Sequence, residues 1–130
     1  QYVSQGYSNY HRTRTRTNGV FNLHRFEWFL RMAVEGKEAG ADPVLKAAIE
    51  DMREHLYEIL RDAFPIREGQ TPLAGAASYE RALFDFMTRG DFSDYWRHPG
   101  LNLEPHFGSY KDVPVTWLGG WFDGEWRWMA

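Results

Sequence analysis

The spacing of apolar residues predicts two long helices in the first half of the chain. In residues 20–39 and again in residues 42–62, apolar side chains recur three or four positions apart, which is the spacing of one helical face. The second helix opens at Asp42-Pro43, where Asp accepts hydrogen bonds from free N–H groups and Pro has no N–H to lose. The stripes consist of Leu23, Phe26, Leu30, Ala33 and Val34 in the first helix and Leu45, Ile49, Met52, Leu56, Ile59 and Ala63 in the second.

The flanking segments have weaker patterns. Residues 1–19 have no helical period and are interpreted as an extended connector that closes in an Asn18-Gly19 turn. The prolines and glycines of residues 65–76 predict a loop, which is followed by a third helix over residues 78–88 with Tyr79, Ala82, Leu83 and Phe86 facing inward. A short fourth helix is expected at residues 93–97, and residues 99–113 are expected to be irregular, with one turn near residues 104–110.

Near the C-terminus the pattern changes to that of a buried strand. Residues 115–118 are β-branched or large and apolar with no charge among them, and Gly119-Gly120 then allows a sharp turn before Asp123. A single strand has no partner for its backbone N–H and C=O groups, so we expect it to belong to a larger α/β body. The chain starts at Gln1 without an initiator Met, which also favours a piece of a longer protein.

Composition narrows the possible classes of partner. The 130 residues include 15 basic and 18 acidic side chains, a net charge of -3, which gives no electrostatic case for nucleic acid or a membrane surface. The lack of cysteine excludes disulfides and cysteine-ligated metals, and no apolar run approaches the ~18 residues that span a bilayer. Aromatic residues make up 17% of the chain, which favours a surface that lines a cleft or packs on another domain. The compartment is left open.

Few residues have the spacing that catalysis requires. No two of the five histidines are spaced i, i+4 on one helix with an acid nearby, so no metal site is expected. The segment from Gly6 to Tyr10 approaches the G-x-S-x-G nucleophile motif, but it has Tyr in the last position and no preceding strand. There is no glycine-rich phosphate loop. Asp123 remains, and it is either the N-cap of a helix or a catalytic acid.

Four motifs resemble, in consistent order, the X-prolyl dipeptidyl aminopeptidase and cocaine esterase type of serine hydrolase, a family that includes the α-amino acid ester hydrolases. The most specific of them resembles the strand that family members have before their catalytic acid. The weaker ones resemble the turn into the first cap helix, a cap loop and an acidic-aromatic stretch. They are Pro114-Val115-Thr116-Trp117-Leu118-Gly119-Gly120-Trp121-Phe122-Asp123, Asn18-Gly19-Val20-Phe21, Thr71-Pro72-Leu73 and Asp94-Tyr95-Trp96.

The resemblance implies a fragment of an α/β-hydrolase whose sheet carries a helical cap. Residues 1–19 would be a connector, 20–113 the mainly helical cap, and 114–130 a strand and the start of a helix of the core. Asp123 would be the acid of a Ser-His-Asp triad, and the chain order of this fold would put the serine before Gln1 and the histidine after Ala130. The implied substrate is a small ester or peptide, the implied partner is the remainder of the hydrolase chain, and no cofactor is implied.

The resemblance also suggests roles beside the acid. Trp121 and Phe122 would line or support the pocket, although a place in the core of the sheet is an equally good interpretation. Glu125 departs from the apolar residues that family members with apolar acyl pockets often have there, so it would face solvent or pair with a substrate amine. The alternative from another class is a noncatalytic helical module that binds a partner protein, with Asp123 only as a helix cap. A helical bundle that binds a small molecule is favoured only by the six Trp.

Overall fold

The described part of the chain is mainly helical. A computed structural model describes residues 9–63, 65–109, 111, 112 and 114. Phe21–Gly90 forms one compact unit, and the described residues of Gln1–Val20 and Asp91–Ala130 form another. Among the described residues, no helix has both the length and the apolar character needed to cross a membrane. The strand predicted at residues 115–118 lies outside the described residues.

The unit Phe21–Gly90 is built around its first helix. That helix, α1, packs against both α3 and α5. Side chains on its inner face are fully buried, and Phe29 meets Phe86 of α5 edge to face, with 5.3 Å between the ring centroids. The helices are α1 (His24–Val34), α2 (Lys37–Ala41), α3 (Pro43–Glu54), α4 (Leu56–Ala63) and α5 (Ala77–Thr88), with a 3-10 helix at Pro72–Ala76 before α5.

The predicted first helix is two helices in the structure. It begins at His24, because Val20–Phe21 forms a short strand and the side-chain oxygen of Asn22 accepts a hydrogen bond from the His24 N–H at 3.1 Å. Leu23, expected on the inner face, is 39% exposed. The chain breaks again at Gly36, where an added Cβ would lie only 2.9 Å from a ring carbon of Tyr79. A side chain at position 36 would therefore displace the end of the Tyr79 ring, and the Ala33 carbonyl oxygen, 3.0 Å from the same position, crowds it as well.

The predicted second helix starts as expected and is then interrupted. Asp42 Oδ1 accepts hydrogen bonds from the N–H groups of Val44 and Leu45 at 2.9 and 3.1 Å, which confirms the predicted cap. His55 leaves helical geometry with φ -105° and ψ 19°, so α3 ends at Glu54 and α4 starts at Leu56. The inner stripe shifts after this break. The structure buries Ile49, Met52 and Leu56 as predicted, but it then buries Leu60 more deeply than Ile59.

A buried carboxylate of α5 accepts hydrogen bonds from the loop before this helix and holds the loop in place. Glu80 is 6% exposed, and its Oε1 accepts hydrogen bonds from the Gly69 N–H and the Thr71 hydroxyl, each at 3.0 Å. Thr71 Oγ1 in turn accepts from the Leu73 N–H at 3.1 Å. The third helix was predicted correctly, but only residues 65–71 of the predicted loop are irregular, because residues 72–76 form the 3-10 helix. The spacing of apolar residues gave no sign of an inward-facing Glu80.

The other unit has more structure than a connector. Residues His11–Thr15 form a π-helical segment, and β1 (Arg16–Thr17) pairs with β2 (Val20–Phe21) across the Asn18-Gly19 turn. The extended connector predicted for residues 1–19 is therefore wrong over residues 11–15, where the backbone is helical, whereas residues 16–17 are extended and residues 18–19 form the predicted turn. Residues 1–8 lie outside the described residues. The short helix α6 (Asp94–Arg97) and a 3-10 helix at Glu104–Ser109 agree with the predicted elements.

We expect Glu80→Ala to lower the free energy of unfolding by about 1–3 kcal/mol, because two donors lose their shared buried acceptor. Glu80→Gln keeps an acceptor oxygen and should lose less. Urea denaturation measures both, and Glu38→Ala on the exposed surface of α2 is the control, with a change within about 0.5 kcal/mol. If Glu80→Ala were as stable as Glu38→Ala, the hydrogen bonds of Glu80 would not stabilise the loop, which would contradict this prediction.

The junction between α3 and α4 should make stability depend on pH. A hydrogen bond from the His55 ring to the Asp51 carbonyl, 3.0 Å from Nδ1, raises the pKa of His55, and the Asp51 carboxylate, followed by Glu58 and Glu54, raises it further. The pKa of His55 in the folded state lies above the unfolded value of about 6.5. The protonated imidazole therefore stabilises the folded state fully at pH values below about 6.5, and this stabilisation is lost as pH rises through the folded pKa.

Replacement of His55 by Asn tests this dependence. The difference in urea midpoint between wild type and His55→Asn should be larger at about pH 5.5 than at about pH 8.5, because the stabilisation decreases as pH rises through the raised pKa of His55. His24→Asn is the matched control, since the His24 ring lies 3.5 Å from Glu27 at the start of α1 and no backbone carbonyl is involved. An equal difference at both pH values would show that His55 does not stabilise the junction by its charge.

Candidate functional site

The predicted site residues are Asp123, Trp121, Phe122 and Glu125, and all four lie outside the described residues. The predicted strand before them does so as well, apart from Pro114, which is exposed. The roles of these four side chains therefore stay predictions. The structure does describe the three upstream motifs, the five histidines and the surface of the helical unit Phe21–Gly90.

The motif Asp94-Tyr95-Trp96 forms α6, and its tryptophan is a core residue. Trp96 is fully buried, and its ring meets the rings of His11 and Tyr95 edge to face with centroid distances of 5.1 and 5.0 Å. The Asp94 side chain is 96% exposed and forms an ion pair with Arg97 one turn later. Trp96 thus stabilises its unit, while Asp94 faces solvent.

The other two upstream motifs also have local structural roles. Thr71 caps the 3-10 helix Pro72–Ala76 and bonds to Glu80, while Leu73 is fully buried. Asn18-Gly19 is the turn of the hairpin and leads into β2. The residues of each motif thus have local structural roles. Such roles agree with a scaffold that supports a site formed by other residues.

A polar cluster joins two distant segments of the unit formed by the described residues of Gln1–Val20 and Asp91–Ala130. Asn9 donates a hydrogen bond from Nδ2 to Glu104 Oε2 at 2.9 Å, and Arg12 binds the other carboxylate oxygen of Glu104. The backbone continues this link, because the Tyr10 N–H donates to the Leu101 carbonyl at 2.9 Å. Since both oxygens of Glu104 already accept hydrogen bonds from the protein, we interpret the carboxylate as an anchor and not as a general base.

A buried arginine lies in the same unit. Arg16 is 7% exposed, and burial lowers the pKa of its guanidinium from the usual value, an effect that the negative charge of Asp91 opposes. Guanidinium groups stay protonated in proteins even after such shifts. Arg16 therefore contributes a permanent positive charge in a desolvated place.

The helical unit has an open groove beside α5. The cavity has a volume of about 490 Å³ and is lined by Glu68, Arg81, Phe84, Asp85, Thr88 and Arg89. Arg89 Nε donates to Asp85 Oδ1 at 2.7 Å, and the Thr88 hydroxyl donates to the Phe84 carbonyl at 2.7 Å, so much of the polar lining is already paired. The sequence indicates this pairing, because Arg81, Asp85 and Arg89 alternate in charge at i, i+4 spacing, but it gives no sign of the groove itself.

The described histidines make local contacts. His98 Nδ1 accepts a hydrogen bond from the Gly100 N–H at 3.1 Å, a contact within its own loop. His55 lies against Asp51 and His24 against Glu27, each on its own helix or helix junction. Within the described ranges, no group of three His, Asp or Glu side chains is placed to hold a metal ion.

An aromatic cluster extends from the core of the helical unit to its surface. Trp28 meets Phe29 edge to face with 5.1 Å between ring centroids, and Phe29 continues to Phe86. The Arg25 guanidinium lies over the Trp28 ring at 5.6 Å. Phe29 is buried whereas Trp28 is partly exposed, so the apolar face of α1 does reach beyond a single neighbouring helix.

Comparisons of the chain with protein-family models, with curated proteins and with solved structures found no match. The resemblance to serine hydrolases therefore depends on the four motifs themselves. Three of these motifs lie within the described residues, and the most specific one does not.

Trp96→Ala should lower the free energy of unfolding by about 3–5 kcal/mol, because it removes a fully buried ring and leaves a cavity. Trp28→Ala is the matched control: the same side chain is lost from a partly exposed position, so its effect should be smaller. Urea denaturation followed by circular dichroism gives both values. Equal losses for the two variants would contradict the structural role assigned to Trp96.

Proposed function

We propose that the chain is the substrate-covering cap and the acid-bearing strand of a serine hydrolase of the X-prolyl dipeptidyl aminopeptidase and cocaine esterase type. The enzyme would cleave an ester or an amide, of acyl ester or X-prolyl peptide type, through an acyl-serine intermediate. The observation on which the proposal depends is the run from Pro114 to Asp123, an apolar strand pattern followed by two glycines, two aromatic residues and an acid.

In this proposal Asp123 accepts a hydrogen bond from the catalytic histidine. A buried carboxylate holds the imidazole in the tautomer that can take the serine proton, and it stabilises the imidazolium that forms. The strand pattern suits this task, because the carboxyl ends of buried parallel strands collect catalytic groups at one edge of a sheet. A serine before Gln1 and a histidine after Ala130 would complete the triad, so residues 1–130 alone would be inactive.

The architecture of Phe21–Gly90 supports the cap assignment without testing it. A cap has to hold its shape over the site, and this unit has its own buried core between α1, α3 and α5. It also has to offer apolar surface to a substrate, and the partly exposed Trp28 provides some. In the same proposal Trp121 and Phe122 border the acyl or amine pocket, and Glu125 binds a substrate amine or faces solvent.

The alternative, a noncatalytic helical module that binds a partner protein, has its own supporting observation. Val44 and Tyr57 on the outer faces of α3 and α4 are 79% and 73% exposed. A partner protein that docks on these two helices would cover both side chains. Under this alternative Asp123 only caps a helix, and changing it affects stability but no chemistry.

Kinetics of Asp123→Asn in the complete protein that contains this chain separate the two functions. Turnover of a p-nitrophenyl ester or an X-prolyl p-nitroanilide should fall by about 10⁴ in kcat, because the amide holds the histidine in the wrong tautomer. Asp112→Asn, an exposed acid eleven positions upstream, should leave kcat unchanged.

Two results would contradict the proposed function. One is wild-type kcat in a folded Asp123→Asn protein. The other is ester turnover by the purified 130-residue chain that disappears when Asp123 is replaced, because a triad acid cannot act without its serine and histidine.

A further inference from the structure

Asn18-Gly19 forms an exposed two-residue turn between very short strands. Both residues have positive φ, 52° for Asn18 and 84° for Gly19, as in the hairpin turns that favour Asn-Gly. The strands β1 and β2 are two residues each, so only a short ladder holds the turn in place. Nothing lies within 4 Å of the position that a Cβ on Gly19 would occupy, which leaves this part of the backbone open to solvent.

The four asparagines of the chain differ sharply in their surroundings. Asn9 and Asn102 are 6% and 3% exposed, Asn9 donates to Glu104, and the Asn102 side-chain oxygen accepts from the Glu104 N–H at 3.1 Å. The Asn22 side-chain oxygen accepts from the N–H of the residue that starts α1. Asn18 is exposed, its side chain has no hydrogen-bond partner among the described residues, and it alone precedes a glycine.

This arrangement permits a reaction within the turn. The Gly19 backbone nitrogen gives up its proton and attacks the side-chain carbonyl carbon of Asn18, so that a new C–N bond forms. The bond from that carbon to the side-chain nitrogen breaks, and the nitrogen takes up the proton and leaves as ammonia. The resulting five-membered imide is then opened by water at either carbonyl, which gives aspartate or isoaspartate. No electrons are transferred, and water is the only other reactant. Glycine favours the first step because it has no side chain to shield its nitrogen.

We propose that Asn18 is a site of spontaneous, selective deamidation in the folded protein. Each event replaces a neutral amide by a carboxylate, so the formal net charge changes from -3 to -4. The aspartyl product keeps the turn, because Asp also tolerates positive φ. The isoaspartyl product adds a methylene to the backbone, and the short ladder between β1 and β2 can then no longer close in the same register.

Ageing of the folded full chain at mildly alkaline pH tests this proposal. Ion-exchange chromatography should show a growing species with one more negative charge, and peptide mapping should place the aspartate and isoaspartate at position 18. Asn18→Ser should abolish this species. Asn22→Ser, a nearby asparagine followed by Leu23, should leave its rate unchanged, and circular dichroism confirms that each variant is folded.

Two outcomes would overturn the proposal. In the first, wild-type Asn18 stays intact over a period in which a linear peptide of residues 14–23 is converted, which would mean that the hairpin protects it. In the second, the acidic species forms at the same rate in Asn18→Ser, which would place the modification elsewhere.

Discussion

Burial of the inner face of α1 between α3 and α5 is the constraint on which the helical unit depends. Phe26, Leu30 and Ala33 have no exposed surface, and each large side chain of this kind contributes about 1.5–3 kcal/mol when removed from water. Glycine at position 36 fits this packing, because Tyr79 of α5 approaches the backbone there. The buried Glu80 of α5 satisfies polar groups in the loop before this helix.

Elements determined by neighbouring residues could be predicted from the sequence. The start of α3 follows from Asp42-Pro43, and α5 and α6 follow from local periodicity and their flanking loops. The break at His55 and the burial of Glu80 could not be predicted, because they depend on contacts that a helical pattern does not record. Glu80 receives its hydrogen bonds from residues nine and eleven positions earlier, across a loop.

The candidate site was predicted from a resemblance to a known motif and not from local periodicity. A carboxylate after a strand pattern is chemically ambiguous, because a helix N-cap and a triad acid need the same residue type. For Asp123 the preceding Gly119-Gly120-Trp121-Phe122 favours the acid through its resemblance to a hydrolase motif. The structure explains why the accompanying motifs are weak evidence: Trp96 and Leu73 are core residues, and such positions are apolar in many folds.

The central claim is that the Asp123 carboxylate binds a histidine. A crystal structure of the complete protein that contains this chain measures this directly, as the distance from a carboxylate oxygen of Asp123 to Nδ1 of the nearest imidazole. The account predicts about 2.6–3.2 Å, with a serine hydroxyl near the other ring nitrogen. An Asp123 that instead accepts hydrogen bonds from the first N–H groups of a helix, with no histidine within reach, would contradict it.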